Sequence, residues 1–366
     1  MAQTLWDTTG AEVLQALLEE RRTAGALAAG LALTLVVVVD EKRVREAELA
    51  ATAAAAAHPC RLLIVVRRKI ESDNRLDAEV QVGGRLGPTE AVVMRMWGRL
   101  ALHAESVVLP LLAPDAPVVT WWHGPPPEDM STDALGVLAN RRITDSAQAE
   151  DPIAALHTRA RDFVPGDTDL AWTRTTPFRA VLAGAIDSVP FKPRSGAVTA
   201  PAGNPSGALL RGWLSARLGV EVGASETSGT RIEGVRLDGT VDEDEYAVEV
   251  TGRDDATAVL RRDDESERQL PLARRELGDL IAEELRRMEP DLVYAEALAA
   301  ATGVEVDERL RARTHRWLDP AWQQGGESDP AGGGAGGGGE GDPAGGATAD
   351  PGTGSSPGGD AAAVRS

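Results

Sequence analysis

Two stretches of the sequence carry tryptophan where an apolar element ends or begins, and the second also carries arginine and aspartate. Residues 118–124 read VVTWWHG and end an apolar run with two adjacent tryptophans, and residues 165–179 read PGDTDLAWTRTTPFR ahead of an apolar helix. Trp and Arg are enriched among the residues that dominate protein–protein binding energy. The alternative, weighted equally, is core packing with helix capping. The candidates for a partner-binding site are Trp121, Trp122, Asp167, Asp169, Trp172, Arg174 and Arg179.

The sequence contains no recognisable catalytic or metal-binding motif. The five histidines stand far apart without an HExxH pattern, and there is no GxSxG nucleophile motif. Cys60 follows His58-Pro59, so it is either a histidine-assisted thiolate or, as we favour, a small buried residue. We therefore predict no catalytic residues, no metal site and no enzyme activity.

Phosphate-binding loops are also absent from the sequence. GxxxxGK[ST] does not occur, and GxGxxG is matched only in the glycine-rich tail, where it does not lie between a strand and a helix. The turn Val39-Asp40-Glu41-Lys42 presents carboxylates where a dinucleotide fold needs glycines. Paired arginines such as Arg141-Arg142 could hold a phosphate, but with carboxylates in excess we favour ordinary ion pairs. We predict no cofactor.

Charge and cysteine content restrict the class of protein. The 366 residues include 38 Lys and Arg against 57 Asp and Glu, a net charge of −19, which opposes binding to nucleic acid or to an anionic membrane. The longest apolar run is shorter than the roughly 20 residues of a membrane helix, and the N-terminus lacks the pattern of an export signal. A single cysteine, Cys60, cannot form a disulfide within the chain. We expect a cytoplasmic protein.

The first part of the chain predicts an α/β domain over residues 1–145. An opening helix, capped by Asp7, Thr8 or Thr9, precedes a continuous apolar strand that ends at Asp40, which is predicted to cap the helix Glu41–Ala57. A second apolar strand, residues 61–66, completes a parallel βαβ unit. Residues 76–82 and 89–100 alternate like an antiparallel hairpin at a sheet edge, and residues 118–122 form a further strand of this mixed sheet.

The second part predicts a helical linker region and an α+β domain over residues 146–302. Asp151-Pro152 and Asn204-Pro205 each start a helix, and a further helix is expected from Thr168 to Asp187 with a break near Pro177. Alternating runs between residues 230 and 260 predict an antiparallel meander, followed by helices over residues 270–288 and 291–301. A short helical extension is expected over residues 303–322, and the Gly, Pro and Asp-rich residues 323–366 are predicted to be a disordered tail. The fold class is thus two-domain α/β, in part α+β.

Several segments resemble the bacterial OpcA family, the glucose-6-phosphate dehydrogenase assembly proteins. The resemblance covers residues 5–300 and is most specific in LPLLAPDAPVVTWW and GDTDLAWTR. The other segments that carry it are DTTGAEVLQALLEERR, LTLVVVVDE, HPCRLLIVV, LDAEVQV, RRITDS and RRELGDLIAEELRRMEPD.

The resemblance implies a non-catalytic assembly factor and allosteric activator of glucose-6-phosphate dehydrogenase in the oxidative pentose phosphate pathway. Some relatives are thought to be redox-controlled through cysteines, but the lone Cys60 excludes an intramolecular disulfide switch here. The family supplies no established binding residues, so the seven candidates rest on their residue types and on their positions at strand ends and helix starts. The alternative function is an α/β enzyme or sensor that binds a phosphorylated sugar.

Overall fold

An eight-stranded mixed sheet organises the first half of the chain in the computed structural model, which describes residues 3–24, 31–83 and 90–306. Its order is β1-β4-β5-β3-β2-β6-β7-β8, and all neighbours are parallel except β1/β4 and β4/β5. The strands are β1 (Gln3–Leu5), β2 (Leu33–Val39), β3 (Cys60–Arg67), β4 (Arg75–Val82), β5 (Glu90–Trp97), β6 (Val118–His123), β7 (Arg141–Thr144) and β8 (Asp167–Asp169).

A six-stranded sheet follows in the order β10-β9-β11-β12-β13-β14. Only β10 and β9 run parallel; the other neighbours form an antiparallel meander. Its strands are β9 (Lys192–Pro201), β10 (Val222–Thr227), β11 (Gly234–Val241), β12 (Asp244–Gly252), β13 (Thr257–Arg262) and β14 (Glu265–Pro271).

Ten α-helices occur in the described ranges, and none is long and apolar enough to cross a membrane. They are α1 (Gly10–Ala24), α2 (Val44–Ala57), α3 (Glu105–Val108), α4 (Ala134–Val137), α5 (Pro152–Asp162), α6 (Leu170–Thr173), α7 (Thr176–Asp187), α8 (Pro205–Leu218), α9 (Leu277–Leu285) and α10 (Leu292–Thr302).

The first sheet is buried on both faces, as its apolar parallel strands predict. Alternate residues of β2 divide between two apolar clusters: Val36 and Val38 face α1, while Val37 and Val39 face α2 and α9. Helix α9 approaches α2 closely at Gly278, where a Cβ atom would lie 2.7 Å from the Cβ of Ala53. Helix α9, which follows the second sheet in the sequence, thus completes the core of the first sheet.

The second sheet buries one face against α7 and α8. Val198, Leu237, Val248 and Leu260 point into this core from four successive strands. Helix α8 also packs against α10, and Leu209 and Leu298 share a smaller cluster with Trp172. The polar residues between the inward-facing positions explain the alternation seen in the sequence.

The predicted mixed α/β fold is confirmed, including the βαβ unit and the antiparallel β4/β5 pair. The residues predicted to join these two strands, 84–89, lie outside the described part. The helix after β2 begins at Val44 rather than Glu41, because the Asp40 carboxylate accepts hydrogen bonds from the backbone N–H groups of Lys42 and Arg43 and forms a turn there. Thr9 and Glu12 form a reciprocal cap at the start of α1.

Several further elements differ from the sequence prediction. The helix expected over residues 168–187 is divided into the end of β8, the short α6 and then α7, because Asp169 ends the strand and caps α6. The helix expected from Leu270 begins at Leu277, since residues up to Pro271 extend the meander as β14. Strands β9 and β10 were not predicted.

The predicted domain boundary at residue 145 remains a prediction. In the structure, β7 ends just before that boundary, and β8, more than 20 residues later, completes the same sheet. The expected extension over residues 303–322 reaches the described part only up to Val306, and the tail over residues 323–366 lies wholly outside it.

Candidate functional site at the carboxyl ends of strands β7 and β8

A cluster of charged side chains lies where β7 and β8 end. These parallel neighbours bring Thr144, Asp145 and Ser146 beside Asp169, and α6 then leads to Arg174. In open parallel sheets, the carboxyl ends of strands are where binding sites form. Five of the seven candidate residues belong to this cluster or its support, whereas Trp121 and Trp122 lie one strand away in β6.

Asp169 is the buried anchor of the cluster. It accepts hydrogen bonds from Thr144 Oγ1 at 2.7 Å, from Ser146 Oγ at 2.6 Å and from the backbone N–H of Ala171 at 2.9 Å. Burial raises its pKa, the neighbouring Asp145 raises it further, and the hydrogen bonds oppose both effects. Several donors fix this side chain, so its role is to hold β7, β8 and α6 together.

Arg174 and Asp145 form a two-point ion pair at the edge of the cluster. The guanidinium donates from Nη1 and Nη2 to the two carboxylate oxygens at 2.6 and 2.7 Å. Burial acts to lower the pKa of Arg174, but its hydrogen bonds and attraction to Asp145 outweigh burial and raise it. The Asp145 side chain is 2% exposed and that of Arg174 is 34% exposed, so only the arginine reaches solvent.

Arg179 lies over the ring of Trp172. Its Cζ atom is 3.6 Å from the ring centroid, and its Nε and Nη2 atoms each donate to a hydroxyl, those of Thr175 and Thr176, at 2.9 Å. Burial lowers the pKa of Arg179. Trp172 is itself 1% exposed and donates from Nε1 to Asp291 at 2.9 Å. This stack fixes the direction of the guanidinium.

Asp167 is buried within the sheet and does not lie on the surface. It pairs with Arg142, and both side chains are buried. Burial raises the pKa of Asp167, against the attraction of Arg142. Arg142 also donates to the carbonyls of Ala139 and Pro165 at 3.2 and 3.1 Å, which fastens the loop before β8 to the loop before β7.

A third buried pair was not found from the sequence. Arg141 pairs with Glu284 of α9, and the second carboxylate oxygen of Glu284 accepts from Thr173 Oγ1 at 2.6 Å. Residues 141 and 284 are 143 positions apart, so no local pattern joins them. The only signal was the Arg141-Arg142 pair itself, and both arginines meet buried carboxylates.

The two tryptophans of β6 point to opposite faces, as expected of adjacent strand residues. Trp121 is 0% exposed in the cluster under α2, and Trp122 is 1% exposed in the cluster under α1. The structure therefore favours core packing over a partner surface for both.

The burial of five candidates changes how the predicted site can act. Those five are Trp121, Trp122, Asp167, Asp169 and Trp172. A buried side chain cannot touch a partner in this conformation, so direct contact would fall to Arg174 and Arg179. The partner-binding role itself stays a prediction.

Catalytic alternatives gain no support from the geometry. Cys60 is 0% exposed and its burial raises the pKa of the thiol to about 12, which argues against the histidine-assisted thiolate. His123 is 1% exposed and its Nε2 atom faces Glu46 at 3.1 Å. No group of three or more His, Cys, Asp or Glu side chains in the described residues could hold a metal ion.

Two family matches follow one another along the chain almost without a gap between them. Residues 51–161 match the glucose-6-phosphate dehydrogenase subunit N-terminal domain, and residues 165–298 match the C-terminal domain of the same subunit. The chain belongs to the OpcA family of glucose-6-phosphate dehydrogenase subunits. Asp145 and Arg142 come from the first match, and their partners Arg174 and Asp167 from the second. The candidate site thus joins the two family domains.

Two solved structures show distant similarity to this OpcA-family chain. An NAD binding oxidoreductase from Klebsiella pneumoniae is 13% identical with a TM-score of 0.35 over 76% of this chain and 91% of that one. The UDP-N-acetylglucosamine 3-dehydrogenase GnnA from Acidithiobacillus ferrooxidans is 11% identical with a TM-score of 0.30 over 75% and 97%. These scores are too low to bear on activity. A comparison with curated proteins finds no match.

Proposed function

We propose that this chain is a non-catalytic assembly factor and allosteric activator of glucose-6-phosphate dehydrogenase, working in the cytoplasm in the oxidative pentose phosphate pathway. The observation that carries this proposal is the pair of family matches, which together cover residues 51–298. The sequence offers no catalytic motif, which agrees with a role carried out through binding.

Activation requires that the chain bind the active state of the dehydrogenase more tightly than the inactive state. Only that difference in affinity shifts the population of the enzyme. A tenfold shift needs about 1.4 kcal/mol, which a few well-placed side chains can supply. A rigid binding surface keeps the entropy cost of this contact small.

Arg174 and Arg179 have the properties that such a surface needs. Asp145 holds Arg174 at two points and the Trp172 ring supports Arg179, so neither guanidinium needs much ordering on binding. We infer that the buried candidates position these two arginines, which contact the dehydrogenase.

The test is the activity of the cognate dehydrogenase, and its mass by light scattering, with and without this chain. The parent is expected to raise activity and to co-migrate with the enzyme. Arg179→Ala and Arg174→Lys are expected to weaken the complex about tenfold, because the stacked cation and the two-point pair are lost. Arg217→Ala is the matched control, since Arg217 is an exposed arginine in an ion pair on α8.

The possible outcomes distinguish the proposed activator role from the assignment of the contact to Arg174 and Arg179. No activation and no complex, with both proteins folded by circular dichroism, would refute the proposed role. Activation by the parent and equally by Arg179→Ala and Arg174→Lys would refute the assignment of the contact to these arginines. A melting temperature that rises with a phosphorylated sugar, without any complex, would favour the sensor alternative.

A further inference from the structure

Three of the four sheet edges in the described residues are protected against pairing with another strand. In the first sheet, β1 and β8 have three residues each, too short to act as templates. In the second sheet, β14 carries the exposed charges Glu265, Glu267 and Arg268 and ends at Pro271. Short length, charge and proline are the usual means by which proteins block edge pairing.

The fourth edge, strand β10, has only one of these protections, the single charge of Glu226. It pairs in parallel with β9 along all six residues, and no other strand in the described ranges pairs with it. Gly223, Ala224, Ser225 and Glu226 are exposed. The strand contains no lysine, no proline and no bulge against β9. An exposed, regular edge of this length is a template for another strand.

The backbone groups on this open edge can be assigned from one hydrogen bond. The carbonyl of Glu221 accepts from the N–H of Gly196 in β9 at 3.2 Å. Because backbone groups of successive strand residues point to alternate sides, Gly223 and Ser225 also face β9. Val222, Ala224 and Glu226 therefore direct their N–H and C=O groups away from the sheet.

We propose that β10 pairs with an extended, basic segment of the partner dehydrogenase, which adds a seventh strand to the second sheet. This inference rests on the proposed function for the identity of the partner. Main-chain hydrogen bonds to the exposed residues Ala224 and Glu226 supply the affinity, as in other complexes formed by strand addition. The small side chains of Gly223, Ala224 and Ser225 leave space on both faces for larger side chains of the incoming strand.

Charge decides between a partner segment and a second copy of this chain. The charged residues in and next to β10 are Glu221 and Glu226, both exposed, so a basic segment is complementary. A second copy would bring the same two glutamates and the same net charge of −19. Pairing with another protein is therefore favoured over pairing with itself.

Ala224→Pro tests the inference in the full-length chain. Proline removes one N–H group that points away from the sheet, which an edge strand tolerates, and the preceding Gly223 accepts the backbone restriction. Ala224→Thr is the matched control, because it keeps the N–H group and suits a strand. We expect Ala224→Pro to raise the Kd for the dehydrogenase at least tenfold and Ala224→Thr to leave it unchanged. Binding of the parent should weaken as salt rises.

Hydrogen exchange of the parent provides a test that needs no variant. The amide groups of Ala224 and Glu226 are expected to exchange slowly in the complex and rapidly in the free chain, because both point away from β9. Unchanged exchange in a formed complex would overturn the inference.

The remaining outcomes distinguish this inference from the proposed function. If the parent and Ala224→Pro form the complex equally well, the role of β10 is refuted while the proposed function stands. If the parent forms no complex, both fail. If the chain alone is a dimer that Ala224→Pro dissociates, β10 pairs with a second copy, and the proposed occupant is wrong.

Discussion

The side chain of Asp162, at the end of α5, shows how strongly one buried residue can respond to its neighbours. Its Oδ2 atom accepts from the backbone N–H of Met130 at 2.8 Å and lies 3.5 Å from Arg159 Nη1. Its Oδ1 atom is buried without a hydrogen-bond partner, so the charged form of this carboxyl group is poorly compensated. Burial raises the pKa of Asp162 to about 7, with Asp129 and Asp167 adding to the effect and Arg159 opposing it.

This environment predicts a specific pH dependence of stability. The folded pKa lies above the unfolded value of about 3.9, so the folded state binds more protons between these two pKa values. The contribution of Asp162 is therefore greatest below about pH 4 and is lost as pH rises to about 7. Asp162→Asn imitates the protonated form and should gain about 2 kcal/mol over the parent at pH 8 relative to pH 5.

Urea unfolding of parent and variant at both pH values measures this difference directly. Asp255→Asn serves as the control, since Asp255 is 89% exposed and its replacement should change stability equally little at pH 5 and pH 8. An Asp162→Asn variant with the same stability relative to the parent at both pH values would contradict the raised pKa of Asp162.

At the scale of elements, two helical glycines have opposite surroundings. Gly212 lies where α8 meets α10, and a Cβ atom there would be 2.4 Å from the carbonyl oxygen of Ala297 and 2.8 Å from the backbone nitrogen of Ala301. Gly184 lies in α7, and a Cβ atom there would meet nothing within 4 Å. The first glycine permits the close approach of two helices, and the second does not serve packing.

The same substitution at these two positions should therefore have opposite effects. Gly212→Ala forces backbone atoms apart and should destabilise the chain by about 1–3 kcal/mol. Gly184→Ala should stabilise it by about 0.5–1 kcal/mol, because alanine loses less backbone entropy in a helix. Chemical unfolding measures both. Equal effects of the two substitutions would contradict the close packing of α8 on α10.

At the scale of the whole molecule, contacts distant in sequence join the two family domains. The Arg141–Glu284 pair and the Arg142–Asp167 pair are buried and connect residues of the N-terminal match with residues of the C-terminal match. Leu280 and Ile281 of α9 lie in the same apolar cluster as Val37 and Ile64 of the first sheet. We therefore expect both family domains to unfold together.

Glu284→Ala tests how much the buried pair between the two family domains stabilises the chain. Glu284→Ala leaves Arg141 buried without its carboxylate and should cost about 3–5 kcal/mol. Glu296→Ala is the matched control on α10, because its pair with Arg217 is exposed and worth at most about 1 kcal/mol.

Thermal unfolding of the parent, followed by far-ultraviolet circular dichroism and by tryptophan fluorescence, tests whether the two family domains unfold together. The two signals should give coincident transitions. Separate transitions for the two signals would contradict the predicted cooperativity.

The sequence by itself determined the elements whose signals are local. The apolar runs of β2 and β3, the alternation in β4 and β5, and the caps Asp151 and Asn204 all depend on neighbours within a few residues. The same holds for the family, because its resemblance lies in contiguous segments. These features follow from side-chain periodicity and from the hydrogen bonds of helix ends, which are set along the chain.

Only the tertiary structure decided which charged and aromatic residues are buried. Residue types indicated Trp121, Trp122 and Trp172 as surface candidates as readily as core residues, and the packing of α1, α2, α9 and α10 placed all three inside. Glu284 meets Arg141 across 143 positions, a contact that no local pattern encodes. Burial and long-range pairing depend on how elements far apart in sequence pack together, and the free energy of that packing belongs to no single segment.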